Sequence, residues 1–213
     1  YLDKLVDYCN ALIVSTGMVD SQELKDGVNH LRQHYTELYI LNCTSEYPPV
    51  YEDINLGNIQ VMQSLWPDLY IGHSDHTPDL YTSFAAISMG AKIIEKHFYI
   101  DEEIKGPDSD VSISPSELAI LCEGRDKIIA ATGVGKIIND LEKPIREWAH
   151  RSIVSSRDMK AGEIITESDF KTKRPGSGIP SIEYKNIIGK KLKQNILENQ
   201  MINWEDIDAN PVC

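Results

Sequence analysis

Four short aliphatic or β-branched runs punctuate the first half of the chain: 11–15 (ALIVS), 38–42 (LYILN), 69–72 (LYIG) and 92–98 (KIIEKHF). None alternates strictly between apolar and polar positions, which is the pattern of strands buried on both faces. Apolar residues recur at helical spacing over 21–35, 56–66, 81–89 and 114–131. The first of these begins SQEL, with Ser21 as the N-cap and Leu24 where a capping box wants Glu. The last begins SPSEL, with Ser114 as the cap and Pro115 in the first helical position. Strand and helix therefore alternate four times, which predicts a parallel α/β sheet with right-handed crossovers. Strand starts at 11, 38, 69 and 92 have the spacing of βα units in a TIM barrel. Four such units are half a barrel, and an open half leaves two long edges unpaired.

After residue 138 the pattern changes. The stretch 140–148 (DLEKPIREW) is charged, contains a proline and reads as a linker. From Arg151 onward, short apolar runs are broken by turn residues such as Lys160–Glu163 (KAGE) and Pro175–Gly178 (PGSG). The expected organisation is a barrel-type segment over 1–140, a linker over 141–150 and a small, β-rich domain over 151–208. The opening YLDKLVDYCN is helix-like and lacks an initiator Met, so it reads as text from within a longer protein.

Composition narrows the function. The 213 residues carry a net charge of -12 and are 41% hydrophobic, so the chain can bury a core without disulfides. The acidic balance argues against a nucleic-acid partner and against an anionic membrane surface. It leaves room for a phosphorylated small molecule held by local donors. No run approaches the ~18 apolar residues of a membrane span. The four cysteines, Cys9, Cys43, Cys122 and Cys213, are widely spaced and form no C-x-x-C pair, as expected of reduced thiols in a cytoplasmic protein.

In a parallel α/β sheet, ligands bind beyond the carboxyl ends of the strands. Here those ends are polar: Ser15-Thr16-Gly17, then Asn42-Cys43-Thr44-Ser45 leading to Tyr47, then Ser74-Asp75-His76-Thr77, then Glu95-Lys96-His97. The amino ends carry no such set. Strand alternation puts Ser74 and His76 on one face, and Glu95 with His97 likewise. Lys96 faces the other way and is expected to cap the sheet surface; His73 is expected to be structural. His76 and His97 then end adjacent strands ~4.8 Å apart, close enough to share one divalent ion. Two readings stay open: satisfied structural histidines, or a metal pair with Glu95 beside it. Gly106-Pro107-Asp108 is either simple turn chemistry or a carboxylate placed over the site.

Taken in order, STGM (15–18), CTSEYP (43–48), YEDINLG (51–57), GHSDHT (72–77), EKHF (95–98) and GPD (106–108) resemble the sialic acid synthases and their bacterial relatives. RSIV (151–154), K-x-G-E-x-I-T (160–166) and KRPGSGI (173–179) resemble that family's C-terminal SAF, or antifreeze-like, domain. The resemblance implies a TIM barrel followed by a small β-rich domain, in a homodimer where one subunit's small domain covers the partner's barrel mouth. It implies condensation of phosphoenolpyruvate with an N-acylated hexosamine to a nine-carbon 2-keto acid and phosphate. A divalent ion, Mn²⁺ or Mg²⁺, would sit on His76 and His97, with Glu95 bonding metal-bound water and moving protons. Ser15 and Ser74 match phosphoenolpyruvate contacts. Ser45, Tyr47 and Asp108 match contacts on the sugar side. Arg174 matches the arginine lent across the dimer to the N-acyl group. The family's first four βα units are not in this sequence, so the isolated chain is expected to be inactive. Two other readings compete: another metal-dependent barrel, such as an aldolase or sugar epimerase, and a non-catalytic antifreeze-like module.

Overall fold

The computed structural model describes residues 5, 7–100 and 106–208. Cys213 and most of the opening 1–10 motif's first half lie outside the described residues. The chain divides into two compact units after Val134. Among the described residues, no helix is long and apolar enough to cross a membrane.

The first unit runs β1 (Ala11–Ser15), α1 (Ser21–Leu31), β2 (Glu37–Cys43), α2 (Asn58–Leu65), β3 (Tyr70–Asp75), α3 (Tyr81–Ser88), β4 (Ile94–Lys96) and α4 (Pro115–Ala131). The four strands are parallel and lie in the order β1-β2-β3-β4. Strictly sequential order is that of a barrel wall; a doubly wound sheet reverses direction at a switch point. One side of the sheet packs on the helices. Leu38 and Ile40 of β2 and Ile71 of β3 join Val28 and Leu31 of α1 and Ile59 and Met62 of α2 in one buried cluster. Ile87, Ile113 and Leu121 form a second cluster at α3 and α4.

The other side departs from the expectation of strands buried on both faces. Alternate residues of β1 are exposed, Ile13 to 53%, and Tyr70 of β3 is 45% exposed beside its stacked register partner Tyr39. The apolar character is there, but four strands do not close over themselves, so this face stays open. Close packing persists at its centre. A Cβ at Gly72 would lie 2.5 Å from Leu41 Cδ2 and 2.6 Å from the Ile93 carbonyl oxygen, so only glycine lets β2 and β4 approach β3 there.

The helix starts illustrate local chemistry. Helix α4 has the expected Ser114 cap, completed by Glu117, with proline in the first turn. Helix α1 is capped one residue earlier than expected. Asp20 accepts from the backbone N–H groups of Gln22 and Glu23, and Glu23 accepts from the Asp20 N–H, a complete capping box.

In the second unit, most of the segment expected to be a linker is helix α5 (Glu142–Ala149). Pro144 falls in its first turn, where a missing N–H removes no intrahelical bond. Next come β5 (Ser152–Ser155) and β6 (Phe170–Lys173), an antiparallel pair, and the short α6 (Tyr184–Ile187). Isolated bridges such as Val154–Met201 and Met159–Ile196 knit the rest together. Ile153, Met159, Ile165, Ile179, Ile187, Leu192, Ile196, Ile202 and Ile207 form its core.

Candidate active site

The register of β3 against β4 pairs Ser74 with Glu95 and Asp75 with Lys96. Alternation then sorts the strand ends between two faces. On the face away from the helices, Ser74 is buried and its hydroxyl donates to Glu95 Oε1 at 2.6 Å. Glu95 itself is exposed on that face. One step past each strand end come His76 and His97, with ring centroids 5.3 Å apart. His76 is buried and His97 is half-buried.

The loop after β2 completes the group. The Thr44 carbonyl accepts from His76 Nδ1 at 2.8 Å. Tyr47 stacks on His76, centroids 4.1 Å apart, and stands edge-on to His97 at 5.5 Å. Its hydroxyl lies 3.1 Å from His76 Nε2. Partial burial, then the neighbouring Cys43, Asp108 and Glu95, push the Tyr47 phenol above its ordinary pKa, so it stays a neutral donor. The loop is tied back by Thr44 Oγ1, which donates to the Asp53 carbonyl at 3.1 Å. It is also tied by the Tyr51 hydroxyl, which donates to Asp79 in the loop after β3. That bond is the main reason the Tyr51 pKa is raised to about 12.

The remaining expected residues fall as follows. Asp108 is exposed, with its Oδ2 3.9 Å from His97 Nδ1, beyond hydrogen-bond length. Ser45 is half-buried, and its hydroxyl fills the space a side chain at Gly17 would need, so the end of β1 lies directly against the end of β2. Thr16 Oγ1 donates to the Leu41 carbonyl at 2.8 Å, which makes its hydroxyl a strand tie. Ser15, at the last position of β1, is exposed. Arg174 belongs to the second unit; its Nε donates to the Ala149 carbonyl at 3.0 Å and its guanidinium lies 5.1 Å from the Trp148 ring centre. The structure thus brings Ser74, Glu95, His76, His97, Tyr47 and Asp108 together on one side of the first unit.

The donor chemistry suits a metal ion. A carbonyl oxygen can only accept, so Thr44 assigns the proton of His76 to Nδ1 and leaves the lone pair on Nε2. A carbonyl behind one ring nitrogen is the usual support of a metal-ligating histidine. Among the described residues, no group of three or more His, Cys, Asp or Glu side chains forms a metal cluster. The two imidazoles would therefore be the protein's donors, leaving other positions to water or substrate.

Three features went unread in the sequence. Lys96, expected at the sheet surface, is buried and pairs with buried Asp75 at 3.3 Å. Matching parity across β3 and β4 was the available signal. The Thr44 carbonyl contact and the stacking of Tyr47 on His76 depend on loop conformation and left no pattern to read. His73 is structural as expected: it is buried, and its Nδ1 donates to the Asn42 carbonyl at 2.9 Å.

Comparison with known proteins follows the same lines. Residues 1–137 match the model of the NeuB family, and residues 150–208 match that of the SAF domain. The chain is 36% identical to the N,N'-diacetyllegionaminic acid synthase of Campylobacter jejuni over 95% of its length and 61% of the relative's. It is 37% identical to the enzyme of that name from Legionella pneumophila, over 98% of its length and 60% of the relative's. The chain thus spans about three fifths of the curated relatives it matches. The crystal structure of the N-acetylneuraminic acid (sialic acid) synthetase of Leptospira borgpetersenii, in complex with citrate, is 31% identical. It superposes with a TM-score of 0.61 over 68% of this chain and 50% of that one. The motifs at the strand ends, the sequential parallel sheet and these matches agree: the chain belongs to the NeuB family, with a SAF domain following the NeuB region.

Proposed function

We propose that the full-length protein condenses phosphoenolpyruvate with an open-chain N-acylated hexosamine, giving a nine-carbon 2-keto sugar acid and phosphate. The observation that carries this reading is the His76–His97 pair, flanked by Ser74–Glu95 and covered by Tyr47, at the ends of adjacent parallel strands in a NeuB-family chain. Relatives named as synthases of N,N'-diacetyllegionaminic acid and of N-acetylneuraminic acid support the product class. They leave two sugars in play, N-acetylmannosamine and a 2,4-diacetamido hexose.

In this reading the methylene carbon of phosphoenolpyruvate bonds to the sugar's aldehyde carbon, and the aldehyde oxygen takes a proton. Water adds at the carbon bearing the phosphate ester, the bond from that carbon to the ester oxygen breaks, and phosphate leaves. Held by His76 and His97, Mn²⁺ or Mg²⁺ would supply Lewis-acid polarisation of the aldehyde. Two nitrogen donors favour Mn²⁺ over Mg²⁺, which prefers oxygen. Glu95, oriented by Ser74, holds or moves the proton of water. Ser15 and Ser74 contact phosphoenolpyruvate, while Ser45, Tyr47 and Asp108 orient the sugar. Arg174, lent by the small domain of a second subunit in a cytoplasmic homodimer, meets the N-acyl group. The remaining four βα units of the TIM barrel supply the rest of the phosphate site.

The test is phosphate release from phosphoenolpyruvate by the full-length protein with each sugar and Mn²⁺, against His76→Ala and His97→Ala. Release that collapses in both variants supports the reading. Phosphate release from neither sugar overturns it, and an aldolase or epimerase then takes its place.

A further inference from the structure

The buried ion pair on the helix side of the sheet is not used by the chemistry above. Asp75 and Lys96 have side chains 0% and 4% exposed and lie 3.3 Å apart. The Asp75 carboxylate also accepts from Thr77 N and Thr77 Oγ1 at 2.8 Å each, Thr82 Oγ1 at 2.8 Å and Ser83 Oγ at 2.5 Å. Lys96 Nζ donates to the Thr77 carbonyl and, at 3.3 Å, to Thr77 Oγ1. Burial pushes the Asp75 pKa up, but Ser83, Lys96, Thr77 and Thr82 together outweigh it and hold the group ionised. Lys96 has fewer partners, so burial wins and draws its pKa below the usual lysine value.

Such a pair is a costly way to fill space, since apolar side chains of similar volume are often as stable or more so. What an apolar pair does poorly is reject a slip of two, which keeps the same side chains on the buried face. The need for that is local. Strands β1–β2 and β2–β3 share five register pairs each, but β3–β4 shares three. A slip of one residue would turn Lys96 to the open face. A slip of two would slide one charge roughly 6.6 Å along the strand from the other and leave each buried without its ionic partner. Thr82 and Ser83, in the first turn of α3, tie that helix to the same carboxylate.

We infer that Asp75 and Lys96 are positioning residues: their ion pair locks β3 against β4 and so sets the spacing of His76 and His97, the next residues along each strand. The inference rests on the metal-binding reading of those histidines. The test measures Mn²⁺ affinity of the full-length protein by the electron paramagnetic resonance of free Mn²⁺, together with melting temperature. The key variant is Asp75→Leu with Lys96→Met, which removes both charges and leaves neither unpaired. Expected is a cooperative melt near the wild-type temperature with Mn²⁺ affinity down about tenfold or more, the scale for loss of a supporting contact. Lys96→Arg, which keeps the charge, should lose less affinity than the double variant. Should the double variant fail to fold, Thr82→Val decides: reduced affinity supports the inference and unchanged affinity overturns it. Wild-type affinity in a folded double variant overturns it outright. Mn²⁺ binding that is absent from the wild type, or that survives His76→Ala, overturns the metal reading itself; binding lost in His76→Ala but intact in the double variant overturns this inference alone.

Discussion

His73 should make the stability of this protein depend on pH in a way that one substitution removes. The ring is 1% exposed, its Nδ1 donates to the Asn42 carbonyl, and its Nε2 is buried with no hydrogen-bond partner among the described residues. A proton on Nε2 would bury both a charge and an unpaired donor. Burial accordingly lowers the His73 pKa; Asp75 and the Asn42 carbonyl oppose the shift, while Lys96 and His76 reinforce it. The sign follows from linkage. The unfolded chain takes up a proton near pH 6.5, the folded protein only lower, so the contribution is complete above about 6.5 and is lost as pH falls below it. The greatest slope for one proton is about 1.4 kcal/mol per pH unit. At about 2–4 °C per kcal/mol for a chain of this size, that is roughly 3–6 °C of melting temperature per pH unit. Phenylalanine keeps most of the ring volume and cannot titrate. It forfeits the bond to Asn42, worth about 1 kcal/mol, at every pH. Melting curves of wild type and His73→Phe from pH 7.5 to 5 should therefore converge or cross as the pH falls. Curves that stay parallel to within about 1 °C would refute the assignment of a buried neutral imidazole.

Three further outcomes are expected. Gly72→Ala would force a methyl group against the Ile93 carbonyl and Leu41, so chemical denaturation should show a loss of about 1–3 kcal/mol. In the SAF domain, Ile165→Ala removes a side chain that is fully buried, and should cost about 2–5 kcal/mol in the same assay. The 213-residue chain alone should release no phosphate from phosphoenolpyruvate with either sugar, because the sheet face carrying the site stays open; measurable turnover would contradict this.

Much of the first unit was legible because its signals are local. The run ALIVS became β1 at its stated bounds, and the parity of GHSD and IEKH placed Ser74 beside Glu95 across two strands. Where reading failed, two local solutions competed or a distant partner decided. Asp20 and Ser21 can each cap α1, and only the position of Glu23 three residues after Asp20 separates them. Strand β4 is three residues long rather than seven, because His97 leaves the ladder to join the site and Phe98 bridges to Ile113 instead. Nearly all of 141–150 lies between the two matched family regions, but its charge and proline hid that it is helical, although a proline in a first turn is no obstacle.

The two faces of the β3–β4 end explain why the sequence around the histidines is dense in polar residues. A strand alternates, so every side chain aimed at the open face has neighbours aimed at the helices. Ser74 and His76 cannot be placed without also placing Asp75 and Thr77 in a buried layer, and Glu95 and His97 likewise commit Lys96. Apolar residues at 75, 77 and 96 would have packed there, as Ile94 does two residues before Lys96 and Ile71 four residues before Asp75. Instead Asp75, Thr77 and Lys96 satisfy one another, with Thr82 and Ser83, within a single network. Polar satisfaction on the hidden face thus specifies the geometry that the exposed face needs. Its loss should be felt in the spacing of the histidines before it is felt in the fold.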